Sequence, residues 1–146
     1  MLTLTRRFVF SAAHRLASPT LDAAQAAAAF GDCQRIHGHN FRLEVTVTGT
    51  PDPATGFFCN VLELERLVRE LVVAPCDHRL LNEVPLFAGV PPTMEMVVQV
   101  LWRVLEGPLA ARGMRLVALT WAETEDHWVR LEAPATPAEP RTAAPA

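Results

Sequence analysis

The residues best suited to chemistry crowd into one stretch, Cys33-Gln34-Arg35-Ile36-His37-Gly38-His39-Asn40. It leads directly into the clearest β pattern of the chain, in which Phe41, Leu43, Val45 and Val47 alternate with Arg42, Glu44, Thr46 and Thr48. That is the period of a half-buried strand. A strand already under way at His37 puts His37 and His39 on one face, about 6.6 Å apart along the chain, and that face is also the face of Phe41. Upstream, Leu2, Leu4, Phe8 and Phe10 occupy even positions, so a strand ending at His14 carries that histidine on its own apolar face. If the two strands are antiparallel neighbours, His14 lies beside His37 and three imidazoles converge on the inner side of the sheet. Three histidines with one position left open is the arrangement of a catalytic zinc site.

Cys33, four residues before His37, could reach a ligand bound at such a metal without occupying the metal itself. A nearby dication favours the thiolate, which suits a general base or nucleophile. A small buried apolar side chain is the commoner fate of a free cysteine, and Cys59 and Cys76 are assigned to it. Asp77-His78 suggests a carboxylate that orients an imidazole for proton transfer, although adjacent side chains often point apart. Glu123 ends a strand beside a turn, where it is either a solvated charge or a partner for the N–H donors of a flat heterocycle. Thr93 and Glu95 are equally well explained as the N-cap and first-turn acid of a helix.

These residues need a scaffold, and the hydrophobic periods supply one. A first strand runs from Leu2 to His14, broken only by the charged pair Arg6-Arg7. Residues 15–32 read as a long connection with room for one short helical turn. After the second strand, Leu64, Leu67, Val68 and Leu71 repeat at helical spacing from about Val61 to Val73, and Asn60 with Glu63 forms a capping-box pattern. A second helix starts after Pro91-Pro92-Thr93, carries Val97, Val100, Leu101 and Val104 inward, and is interrupted at Gly107-Pro108. Met114–Glu123 and Trp128–Glu132 read as an antiparallel pair. The order ββααββ predicts an α+β domain over residues 1–132, with two helices on one face of a four-stranded antiparallel sheet. Residues 133–146, rich in Pro and Ala, read as a disordered tail. Open sheet edges predict oligomerisation.

Composition narrows the function. At 146 residues the chain buries about 68–70% of its unfolded surface and needs no metal merely to fold. A net charge of -3 argues against general nucleic-acid or anionic-membrane binding. Lysine and tyrosine are absent, which excludes Schiff-base chemistry, a P-loop lysine and a tyrosine acid. Three irregularly spaced cysteines suit a reducing compartment. The apolar run Phe8–Ala13 is shorter than a signal-peptide core, and no transmembrane-length run occurs. The chain therefore reads as cytoplasmic.

Taken in order, Phe10-Ser11-Ala12-Ala13-His14, Cys33-x-x-x-His37-Gly38-His39, Asp77-His78-x-Leu80-Leu81-Asn82, Pro92-Thr93-x-Glu95 and Glu123-Thr124 resemble the 6-pyruvoyl-tetrahydropterin synthase family, from residue 4 to about residue 131. The resemblance implies a tunnelling fold, in which subunits close into barrel-shaped trimers and two trimers stack as a homohexamer with sites between subunits. It implies Zn2+ on His14, His37 and His39, with Cys33 as the proton-abstracting thiolate. Asp77 with His78 would be the second catalytic pair, and Glu123 the pterin anchor, helped by Thr93 and Glu95. The three-residue gap between Cys33 and His37 is similar to the bacterial 6-carboxytetrahydropterin synthase branch. That branch implies conversion of 7,8-dihydroneopterin triphosphate to 6-carboxy-5,6,7,8-tetrahydropterin, acetaldehyde and triphosphate in queuosine biosynthesis. The alternatives are 6-pyruvoyl-tetrahydropterin synthesis, dihydropterin side-chain cleavage, or a non-catalytic pterin- or metal-binding module. Two positions depart from the family pattern, Asn60 where Asp is usual and Met96 where Asn is usual. Arg15, Arg35 and Arg79 adjoin the motifs as candidate triphosphate contacts.

Overall fold

A computed structural model describes residues 1–134. Strand β1 (Leu4–His14) is followed by helix α1 (Ala23–Phe30), a 3-10 turn (Gly31–Gln34) and strand β2 (His37–Thr48). Helix α2 (Val61–Val68) passes through a π turn (Arg69–Val73) into α3 (Ala74–Cys76). Helix α4 (Met94–Ala110) and strands β3 (Arg115–Ala122) and β4 (Trp128–Glu132) complete the chain. The strands form one antiparallel sheet in the order β1-β2-β3-β4, so the α+β architecture expected from the periodicities is the one observed. No helix among the described residues is long and apolar enough to cross a membrane.

Alternation decides which face of the sheet is covered. Phe8, Phe10, Phe41, Leu43, Val45, Leu119 and Trp121 turn inward and are buried against Leu64, Leu67 and Val68 of α2 and Val97, Leu101 and Leu105 of α4. Trp121 stacks on Phe41 with ring centroids 4.8 Å apart and leans on Phe10 at 5.8 Å. Burying each such side chain contributes about 1.5–3 kcal/mol, so the core is the dominant source of order here. The charged pair that breaks the β1 pattern has a structural explanation. Arg6 turns inward to meet Glu65 of α2 at 2.8 Å, Arg69 reaches the same carboxylate at 2.9 Å, and Arg7 pairs with Glu44 on the outer face at 2.8 Å.

Four local expectations are corrected. The long connection holds an eight-residue helix, α1, not a single turn; Asp22 and Gln25 cap it reciprocally at 2.9 and 3.0 Å, a signal present in the sequence. Asn60 caps α2 through Leu62 and Glu63 N–H groups, but Glu63 does not close the box, because its carboxylate meets Arg112 at 3.2 Å. The helical repeat continues past Val73 to Cys76. Pro108 does not interrupt α4, which runs to Ala110. The preceding Gly107 has no Cβ to collide with the proline ring, and buried Leu105 and Leu109 hold the last turn on the core. At the far end the Ala133 N–H still donates to the Val117 carbonyl at 2.8 Å, one residue into the segment expected as tail; residues 135–146 lie outside the described residues.

Two predictions follow from this packing. Leu101 is fully buried between sheet and helices, so Leu101→Ala lowers stability by about 2–5 kcal/mol, read by denaturant unfolding. His78 adopts φ 57°, a left-handed conformation that costs a side-chain-bearing residue about 1–2 kcal/mol. His78→Gly is therefore at least as stable as His78→Ala; a lower melting temperature for the glycine variant would contradict the strain.

Candidate active site

The register of β1 against β2 places His14 opposite His37 and Ala12 opposite His39. The three imidazoles consequently meet at one end of the sheet, with ring centroids 4.5, 5.3 and 5.1 Å apart. Their potential ligand nitrogens all lie within 4.8 Å of one another. Phe41 forms the floor beneath, edge-on to His14 at 5.4 Å and against His39 at 5.2 Å. Gly38, between the two β2 histidines, keeps the strands close: a Cβ there would sit 3.2 Å from the Ala12 carbonyl oxygen.

Backbone carbonyls orient two of the rings. Nδ1 of His14 donates to the Pro92 carbonyl at 3.0 Å, and Nδ1 of His37 to the Arg35 carbonyl at 2.8 Å. A carbonyl only accepts, so these bonds assign the proton to Nδ1 and leave the Nε2 lone pair free. Nε2 of His14 and of His39 is buried without a hydrogen-bond partner, a condition that is rare and costly unless a ligand answers it. Burial pushes the pKa of His14 below the usual 6.5, against the opposing effects of the Pro92 hydrogen bond and the Glu123 charge. Burial lowers His39 in the same way. Neutral rings with free Nε2 atoms are the ligand form of histidine, so the residues present fit a divalent metal ion.

Glu123, at the end of β3, joins this group. Its carboxylate oxygens stand 3.6 Å from His14 Nε2, 4.0 Å from His39 Nε2 and 3.8 Å from His127 Nδ1. These separations exceed a hydrogen bond and leave the oxygens available to other donors. Beside the carboxylate opens a cavity of about 410 Å3 lined by Val9, His39, Asn40, Arg42 and Thr124. A mostly buried carboxylate facing such a space can take two N–H donors from one flat ring.

Asp77 and His78 do not point apart. Their side chains are bonded at 2.9 Å, because the left-handed backbone at His78 folds the imidazole back onto the carboxylate. The same Asp77 oxygen accepts from the Ser11 N–H at 3.2 Å, and the His78 N–H donates to the Ser11 carbonyl at 2.6 Å. The pair therefore hangs on the outer edge of β1. A cavity of about 530 Å3, lined by Ser11, Gly38, His39, Asn40, His78 and Arg79, opens beside the pair.

Cys33 is exposed in the 3-10 turn, not buried, and its carbonyl accepts from the Leu16 N–H at 2.8 Å. Four residues of chain tether it within about 14 Å of His37. Cys59 and Cys76 are buried as expected, and burial drives the Cys76 thiol up to about 12. Thr93 caps α4 through the Met96 N–H at 3.4 Å. Glu95 is exposed in the first turn of that helix, and Arg15, Arg35 and Arg79 are exposed as well. What sequence reasoning missed are the Pro92 and Arg35 carbonyls, which leave no mark in residue identity, and His127, whose place beside Glu123 in the β3–β4 turn was a readable signal.

Known proteins share this arrangement of chain. The family described as 6-pyruvoyl tetrahydropterin synthase matches residues 3–134. A human protein named 6-pyruvoyl tetrahydrobiopterin synthase is 41% identical over 102 residues, 68% of this chain and 70% of that protein. An Archaeoglobus fulgidus protein named putative 6-carboxy-5,6,7,8-tetrahydropterin synthase is 32% identical over 114 residues, 78% of this chain and 90% of that one. The solved structure of Caenorhabditis elegans 6-pyruvoyl tetrahydropterin synthase superposes with a TM-score of 0.82 at 30% identity, covering 91% of this chain and 96% of that one. With a family match over nearly all the described residues and a shared fold, the chain belongs to the 6-pyruvoyl tetrahydropterin synthase family.

Proposed function

We propose that this protein is a zinc-dependent enzyme of pterin side-chain chemistry. In this reading it converts 7,8-dihydroneopterin triphosphate to 6-carboxy-5,6,7,8-tetrahydropterin, acetaldehyde and triphosphate in the cytoplasm, on the route to queuosine. The observation that carries the reading is the meeting of three imidazoles, two of them with buried Nε2 atoms that lack a hydrogen-bond partner, beside the Glu123 carboxylate. The short connection from Cys33 to His37 favours the carboxy product. A second reading, formation of 6-pyruvoyl-tetrahydropterin, is favoured by the names of the human and nematode relatives.

In the mechanism, His14, His37 and His39 would hold a zinc ion. Bound there, the ion supplies Lewis acidity that makes the side-chain hydroxyls of the substrate easier to deprotonate. Glu123 accepts the N–H donors of the pterin ring and sets its depth in the cavity, while Thr93 and Glu95, which do not line that cavity within one chain, contribute from a neighbouring subunit. Cys33 removes a proton from the carbon side chain. His78, steadied by Asp77 at 2.9 Å, moves protons from the other side. The exposure of Cys33 and His78 suits a site completed by a neighbouring subunit, and we assign the assembly as a homohexamer of two trimers. The alternative of a non-catalytic binding module gives Cys33 and the Asp77–His78 pair nothing to do.

Three measurements test this. Mass spectrometry of products from 7,8-dihydroneopterin triphosphate yields a carboxylated pterin and acetaldehyde, abolished by chelator and restored by zinc; a pyruvoyl pterin would select the second reading, and unconsumed substrate would remove both. His37→Ala no longer retains about one zinc per chain, whereas Cys33→Ala keeps the zinc and loses about 10²–10⁴-fold in kcat. Burial holds His14 and His39 below the usual imidazole value, so protons compete with a metal for these two rings on the acid side of that value. Zinc affinity accordingly falls in acidic buffer, as read by equilibrium dialysis.

A further inference from the structure

We propose that Asn82 is a positioning residue, whose carboxamide clamps the end of β1 and thereby holds His14 and Cys33 in place relative to His78; the proposal rests on the site reading above. Strand β1 is an edge strand, and Ser11, Ala13 and Arg15 turn their backbone groups away from β2 at two-residue intervals. Segment 77–82 answers all three. Ser11 exchanges bonds with His78 N–H and the Asp77 carboxylate. The Ala13 N–H donates to the Arg79 carbonyl at 2.9 Å, and Ala13 bridges Leu80 in parallel sense. At Leu81 the chain turns into a 3-10 helix (Leu81–Glu83), and its backbone can no longer follow β1.

The Asn82 side chain takes over at that point. Its Oδ1 accepts from the Arg15 N–H and its Nδ2 donates to the Arg15 carbonyl, both at 2.9 Å. One donor and one acceptor on a short stem reproduce what a strand partner would offer; aspartate keeps the acceptor and loses the donor. The clamped residue is pivotal. Arg15 follows His14 directly, and the next residue, Leu16, donates its N–H to the Cys33 carbonyl at 2.8 Å. Asn82 thus sits where the chain leaves the sheet, between a ligand histidine and the thiol, and it closes the segment that begins with Asp77 and His78. The motif Asp77-His78-x-Leu80-Leu81-Asn82 acquires a mechanical meaning: its first two residues act, and its last one fixes the distance over which they act.

The test compares full-length wild type, Asn82→Ala and Asn82→Asp for two properties that need no turnover. One is the rate at which iodoacetamide alkylates Cys33, located by peptide mass spectrometry; the other is zinc affinity by chelator competition. Asn82→Ala alkylates Cys33 several-fold faster and binds zinc about tenfold more weakly, the scale of losing an outer support of a metal ligand. Asn82→Asp falls between the two. An alanine variant equal to wild type in both properties, even with a lowered melting temperature, would make Asn82 merely structural and overturn the proposal. If the alanine variant does not fold, the aspartate variant decides: faster Cys33 alkylation and weaker zinc binding than wild type support the clamp, and wild-type values refute it. Wild-type protein that takes up no zinc would fail the function proposed above, and the alkylation comparison would still decide the clamp.

Discussion

The pairing of β1 with β2 is the constraint on which the rest depends. All eleven residues of β1 lie in one antiparallel register, and that register is selected by burial, since it brings Phe8 opposite Leu43 and Phe10 opposite Phe41. A slip of one residue would turn every side chain to the opposite face, exposing the aromatic core and scattering the imidazoles. The same apolar energy that folds the domain therefore sets His14 against His37. The site inherits its precision from the core beneath it, through Phe41, which touches both Trp121 and two of the three histidines.

Burial alone would make a poor metal site if the rings were free to turn or to protonate. Carbonyls of Pro92 and Arg35 remove the first freedom for two of the rings, and desolvation of His14 and His39 opposes the second. The consequence is a pair of buried Nε2 atoms without a hydrogen-bond partner. Glu123 adds negative charge at the rim without engaging either nitrogen directly. It stands close enough to influence the group electrostatically and open enough to meet a ligand.

The groups proposed to move protons are placed differently. Cys33 and His78 belong to surface segments outside the sheet: the His78 N–H is bonded to the Ser11 carbonyl of β1, and the Cys33 carbonyl to the N–H of Leu16, two residues beyond the end of that strand. Rigid strand and exposed attachment divide the labour: the strand fixes position, while the attached segments offer side chains to a substrate or to a second subunit. The left-handed backbone of His78 belongs to this scheme, because strain in a surface turn persists only where surrounding bonds over-determine it. Here the Ser11 carbonyl and the Asp77 carboxylate do so.

Much of this was readable from residue order. Alternation in 41–48 and the even-numbered apolar residues of β1 identified two strands and their inward faces, and parity then carried His14, His37 and His39 to one side. Helical spacing located α2 and α4. The sequence underestimated α1 and misjudged Pro108, since a proline's effect depends on its neighbour and on what lies under the turn. Local pattern determined which side chains share a face, because strand and helix periods are properties of the backbone itself. Only the tertiary structure decided which carbonyls orient the imidazoles, that Glu123 closes on them, and that Asp77 and His78 hang from Ser11. Except for the Arg35 carbonyl, two residues from His37, those contacts join residues tens of positions apart, and the carbonyls among them are backbone atoms that every residue possesses.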